Sequence, residues 1–152
     1  MIRIELKDGA VRAALTRLAV GMDDMTAPME EISKFLVQST KQRFGEGTAP
    51  DGTAWAANSR VTLARKTDSR PLFGTSGNLN QQISHEAGAN QVEIGSNRIQ
   101  AAMMQFGGAK AAFPHLWGDI PARPFIGLSE EDETGLLEIV TEWLEGLAGE
   151  AL

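Results

Sequence analysis

With 152 residues, a hydrophobic fraction of 42 % and a charged fraction of 22 %, the chain reads as one ordinary globular domain and not as a disordered protein. The absence of cysteine removes disulfides and thiolate chemistry and suggests synthesis in a reducing cytoplasm. The net charge of −6 is uneven, since residues 129–152 hold eight of the 20 acidic side chains and neither Lys nor Arg. That end disfavours nucleic-acid binding, which draws its affinity from cationic contacts with phosphate.

In chain order, residues 1–6 alternate Ile2, Ile4 and Leu6 with charged neighbours and predict a short strand. The charges at Arg3, Glu5, Lys7 and Asp8 argue against an apolar signal core, and no later run is long and apolar enough to predict a membrane span. Asp8 is placed to cap a helix whose Val11, Leu15, Leu18 and Met22 share one face. Thr26, Pro28 and Glu30 announce a second helix, with Met29, Ile32, Phe35 and Leu36 as its inward stripe. It is predicted to stop near Phe44, before Gly45 and Gly47.

Pro50-Asp51-Gly52 suits a type I turn, and a helical turn is predicted around Ser59–Lys66. From Leu79 and Ile83 onward, through the alternating Val92 and Ile94, two antiparallel strands are expected, joined near Gly88-Ala89-Asn90. "NRIQAAMMQFGG" predicts a short helix stopped by Gly107 and Gly108. Ser129, with Asp132 three residues on, starts a last helix whose Leu136, Val140, Trp143 and Leu147 share a face, widened by Leu137, Ile139 and Leu144. The expected fold is α+β: one domain over 1–152, a small mostly antiparallel sheet, and helices at both ends. Long loops fall at about 45–58, 65–78 and 107–124, and loops of that length are usually functional.

Catalytic constellations are missing from this pattern. The two histidines, His85 and His115, stand outside any zinc-binding spacing. "GTSGN" lacks both the nucleophile elbow and the phosphate-binding lysine, so Ser76 reads as a turn residue. Adjacent acids such as Asp23-Asp24 diverge around a helix instead of converging on a substrate. No catalytic residue, metal site or cofactor is expected, and the chain reads as a non-enzyme.

The stretch "IPARPF" deletes backbone donors at Pro121 and Pro124 and cannot be a central strand. It is a stiffened arm anchored by Phe125 and Ile126, either strapping the domain's own core or docking on a partner. "GGAKAAFPHLWGD" carries Phe113, Leu116 and Trp117 in a stretch without periodicity, and Trp55 follows a turn. Such side chains either fold inward or meet a partner. The segment Arg60–Arg70 is basic through Arg60, Arg65, Lys66 and Arg70 against Asp68. A basic loop and an acidic last helix suit head-to-tail contact between copies, and on that reading the central segments take their order from adjoining subunits.

"FGEGTAPDGTAW", "FGTSGNL", "VEIGSNRIQAAMMQFGG" and "IPARPFIGLSEED" follow one another in an order and spacing that resembles the phage virion morphogenesis family, the tail-completion proteins of Mu-like and P2-like phages and prophages. The likeness runs from about Phe44 to Asp132. Its motif positions are Pro50, Asp51, Gly52 and Trp55, then Gly77 and Leu79, then Gln105, Phe106 and Gly107, then Pro121 to Phe125. One departure stands out: relatives often carry a tyrosine and a histidine in the segment before Gln-Phe-Gly, whereas "RIQAAMMQFGG" has Met104 just before Gln105 and no tyrosine.

The resemblance implies a structural protein of the virion neck or upper tail, made in the host cytoplasm. It would form a homo-oligomeric ring, expected as a hexamer, that contacts other neck and tail proteins and lets DNA pass without sequence-specific binding. An assembly chaperone absent from the finished particle is the alternative. The expected subunit contacts are Trp55, Arg65, Lys66, Phe106, Phe113, Trp117, Arg123 and Phe125. Glu138 and Glu142 are candidates to face a DNA-repelling lumen, or else lie outside the ring.

Overall fold

A computed structural model describes residues 9–74 and 78–149. The strand expected over residues 1–6, the Asp8 cap, Ser76 and the motif glycine Gly77 lie outside the described residues. Helices α1 (Gly9–Asp23) and α2 (Thr26–Glu46) are followed by short helices α3 (Arg60–Arg65) and α4 (Asn78–Gln81). The antiparallel pair β1 (Ser84–Ala87) and β2 (Val92–Gly95) comes next, then α5 (Ala101–Phe106) and the long α6 (Glu130–Gly149). The fold is α+β, with a small antiparallel sheet and helices at both ends.

Local signals set most of these boundaries. Asp24 accepts from the backbone N–H and the hydroxyl of Thr26, which satisfies one of the orphan donors at the start of α2. Gly47, at φ 71°, takes the left-handed conformation that ends α2. Ser59 caps α3 by accepting from Thr62 N–H at 3.2 Å. Ser129 and Asp132 form a reciprocal box at the head of α6, each side chain accepting from the other's backbone N–H at 3.1 and 2.9 Å. The type I turn closes where expected, with Gly52 N–H donating to the Ala49 carbonyl at 2.9 Å.

The hairpin pairs Ser84 with Gly95 and Ala87 with Val92, and Gly88 N–H donates to Gln91 O at 2.8 Å across its turn. It starts at Ser84 instead of near Leu79, because residues 78–81 take a helical turn that drives Leu79 into the core. One face of α2 covers the sheet. Its most buried positions include Ser33, Thr40, Arg43 and Phe44 beside Ile32, so the inward stripe is more polar than apolar spacing predicted. Ser33 Oγ donates to the Glu30 carbonyl at 2.7 Å and lies 2.9 Å from His85 Nδ1, which pins β1 to the helix. Ser33 is itself buried, so this Ser–His pair offers no accessible nucleophile.

Phe44 is the centre of the core. Its ring meets Trp55 edge-on at 5.5 Å, Phe73 edge-on at 6.3 Å and Phe125 at 5.2 Å, spacings typical of favourable aromatic pairs. Leu79, Ile83, Ala49 and Ala101 complete the buried cluster.

α1 behaves differently. It packs on α6 alone among the longer elements, close enough at Gly21 that a side chain there would collide with Leu147. Leu18 is half-buried, but Val11, Leu15 and Met22, which share its face by spacing, are exposed.

Candidate functional site

The segment from Ile120 to Ile126 is an intramolecular strap. Gly108 and Ile120 form an isolated antiparallel bridge that closes the loop carrying Trp117. From there the strap crosses α5, with Arg123 N–H donating to the Met104 carbonyl at 2.7 Å. The two prolines carry no N–H, and the Gln105 side chain satisfies backbone groups at the strap's far end. It accepts from Phe125 N–H at 3.0 Å and Ile126 N–H at 3.1 Å, and donates to the Ile126 carbonyl at 2.9 Å. Gly107, at φ 70°, lies so close beneath the strap that a Cβ would sit 2.7 Å from Ala122 N.

Two arginines fasten this layer. Arg123 donates to the carbonyls of Ala56 at 2.7 Å and Ala57 at 3.0 Å, and burial lowers its pKa. Arg43 donates to the carbonyls of Phe125 at 3.2 Å and Gly127 at 2.9 Å, to Ser39 Oγ at 3.2 Å, and to Asp132 in a buried ion pair. The guanidinium therefore joins α2, the strap and the head of α6 at one point. Burial pushes the Asp132 carboxyl up. Hydrogen bonds from Ser39 and from Ser129 N–H, together with the Arg43 charge, outweigh that and hold it below the ordinary carboxylate value.

Trp55, Arg123 and Phe125 were expected to touch an adjoining subunit, and the structure places all three inside the fold. Phe125 is 0 % and Trp55 7 % exposed, and Trp55 Nε1–H donates to the Pro124 carbonyl at 2.8 Å. The polar groups of Trp55 and Arg123 find acceptors on segments of the same chain. The same contacts tie the loops around 45–58 and 107–124 to the core within the chain.

The remaining expected contacts face outward. Phe106 is 78 % exposed, Trp117 fully so, and Phe113 partly, with its ring edge-on to His115 at 6.3 Å. Arg65 is exposed, and Lys66 is half-buried with its Nζ donating to the Arg70 carbonyl at 2.9 Å. Arg70 is engaged at home: it grips Asp68, whose pKa falls to about 2, and its guanidinium stacks 3.8 Å above the Phe73 ring. Glu138 and Glu142 are exposed one turn apart on α6.

The structure brings three of these residues together. A groove of about 900 Å³ lies between α3 and the loop before the strap. Val61, Leu116 and Trp117 wall it, Leu72 and Met104 contribute to its floor, and Arg65 and Lys66 stand at its rim. Leu72 is held there at φ 62°, a conformation rare for a branched residue and one that costs about 1–3 kcal/mol. Asp119 is the one carboxylate among the lining residues, and it already accepts from Lys110 N–H at 2.8 Å. Sequence reasoning missed Arg43, Asp132 and Gln105 as organisers. The Ser129–Asp132 capping pattern touched Asp132 and the motif resemblance touched Gln105, but neither gave the organising role, and Arg43 carried no signal.

Among the described residues no cluster of three or more His, Asp or Glu side chains converges as a metal site would need, and no helix is long and apolar enough to cross a membrane. The geometry defines a small α+β fold whose motif residues contact one another and leave a separate apolar and basic face outside. The chain belongs to the phage virion morphogenesis family, whose sequence profile matches residues 6–145.

It is similar to the Mu-like prophage FluMu G protein 2 of Haemophilus influenzae, at 31 % identity over 95 % of this chain and 97 % of that protein. It is also similar to the putative capsid assembly protein G of Escherichia phage Mu, at 34 % identity over 85 % of this chain and 83 % of the relative. The tail completion protein S of Escherichia phage P2 is 31 % identical over 76 % of this chain and 81 % of its own length. No solved structure matches the chain.

Proposed function

We propose that this chain is a structural subunit of the phage neck or upper tail, a non-enzymatic protein that completes the tail or joins it to the head. The observation that carries this reading is the likeness, over 76 % to 85 % of the chain, to relatives named for tail completion and capsid assembly. On this reading several copies form a ring, expected to be a hexamer, which contacts other neck and tail proteins and lets DNA pass. Phe106, Phe113, Trp117, Arg65 and Lys66 are its outward contact residues. Large aromatic side chains on a surface are typical anchors of protein contacts, which supports giving them that role. Glu138 and Glu142 line the bore, where carboxylates repel phosphate and keep DNA from sticking.

Deleting the gene from an inducible prophage and imaging the particles tests the reading. The expected result is heads and tails that fail to join or tails of abnormal length, restored by the gene supplied in trans. Mass spectrometry of purified wild-type particles should find the protein at a fixed multiple per virion. The name of the phage Mu relative, a putative capsid assembly protein, favours one alternative: a chaperone that leaves before the particle is finished. Particles that lack the chain but need its gene would establish that alternative.

A further inference from the structure

We propose that the groove beside α3 receives the Leu137 edge of α6 from a second copy of this chain. The proposal rests on the ring reading above and names the two surfaces that would meet.

The receiving surface combines two chemistries. Val61 and Trp117 present apolar walls that the subunit leaves open to solvent, and Arg65 and Lys66 stand at the rim. An occupant must therefore offer an apolar knob flanked by negative charge. α6 offers that combination on its open side. Leu137 is 69 % exposed, far from the usual state of a leucine on a packed helix. Glu130 and Glu133 precede it by seven and four residues and Thr141 follows by four, so helical spacing lines all four along one edge. These positions are exposed, and the helix contains no basic residue to neutralise them.

The two surfaces cannot meet within one subunit. The substantial packing of α6 is against α1 and α2, whereas the groove is bounded by α3, α5 and the loop before the strap. A contact between two different patches on identical chains is head-to-tail, and such contacts close into rings when the rotation per step allows it. Glu138 and Glu142 lie roughly 100° to 140° round the helix from Leu137, so one edge can dock while the other stays free to face a bore.

Reciprocal charge reversal tests the pairing in the full-length protein, with sedimentation velocity and light scattering reading the assembly state. Arg65→Glu with Lys66→Glu forms one variant, and Glu130→Lys with Glu133→Lys forms the other. Each alone should weaken self-association about tenfold or more at low salt, because like charges then face each other at the rim. Mixing the two should restore assembly, since each interface in an alternating ring then pairs opposite charges. Leu137→Ser, at an exposed position that should leave folding intact, should weaken assembly without any change of charge.

Both reversed variants assembling like the wild type, or a mixture no better than either alone, would overturn the docking and leave the ring reading in place. A wild-type chain that stays monomeric at every concentration and in cross-linked particles would end both.

Discussion

Two tryptophans show how similar local sequence can lead to opposite fates. Trp55 and Trp117 both sit in loops rich in Gly, Ala and Pro, without periodicity to place them. Trp55 is buried against Phe44 with its indole N–H on the Pro124 carbonyl, while Trp117 is fully exposed. The difference lies in backbone closure. Trp55 N–H donates to Gly47 O at 2.8 Å, and the Thr48–Ala54 bridge folds its loop back onto the end of α2. The Gly108–Ile120 bridge instead closes its loop at the base and leaves Trp117 at the tip. A large apolar residue in a loop is thus pulled inward by hydrogen bonds near it. Where those bonds lie at the loop's neck, it is pushed out.

The inner region should fail hard when broken. Phe125→Ala removes a fully buried ring from the centre of the aromatic cluster, and the free energy of unfolding in urea should drop by about 3–5 kcal/mol. Arg43→Ala comes close behind. It strands the Asp132 carboxylate in a buried site and frees the Phe125 and Gly127 carbonyls, which should cost about 3 kcal/mol in the same measurement. Replacing Arg43 and Asp132 together should cost less than the two single losses added, because the double variant leaves no unpaired charge.

A smaller effect depends on pH. The native pKa of Asp132 lies below its unfolded value of about 3.9, so its ionised form favours folding. That contribution is complete above the unfolded pKa and disappears as pH falls through the native one. The stability gap between wild type and Asp132→Asn should therefore hold steady from about pH 7 to 5 and narrow below about pH 4. A gap that widened on acidification would mean that the carboxyl is held above its ordinary value.

Much of the inner region was readable from sequence where its cause is local. The Ser129–Asp132 box, the helical turn after Ser59 and the turn through Pro50 each depend on residues three apart, and each formed as expected. Alternation at Val92 and Ile94 located the hairpin. Distant causes were invisible. Arg123 looks like a surface cation because its carbonyl acceptors lie 66 and 67 residues earlier in the chain, and Arg43 finds Asp132 only 89 residues on. The motif resemblance pointed to the right segments, but their aromatic and charged residues invited an interface reading. Motif positions such as Trp55, Gln105, Gly107 and Phe125 instead interlock with one another. The outward face was partly legible, since Arg65, Lys66 and Trp117 were singled out, but their meeting across one groove with Val61 needed three dimensions.

Trp117→Ala sharpens the contrast most, because stability should barely register it. An exposed side chain makes few contacts to lose, so unfolding in urea should change by no more than about 0.5 kcal/mol. If the groove is where copies meet, the same variant should lose assembly, as truncating a tryptophan at the centre of an interface commonly costs 2 kcal/mol or more, about thirtyfold in affinity. Trp55→Ala should invert that profile by unfolding the subunit first, so that any loss of assembly follows its denaturation curve. Particle-forming activity measured in parallel with urea midpoints would separate the two residues. A Trp117→Ala protein as stable and as assembly-competent as the wild type would show that exposure alone, without a partner, explains the outer region.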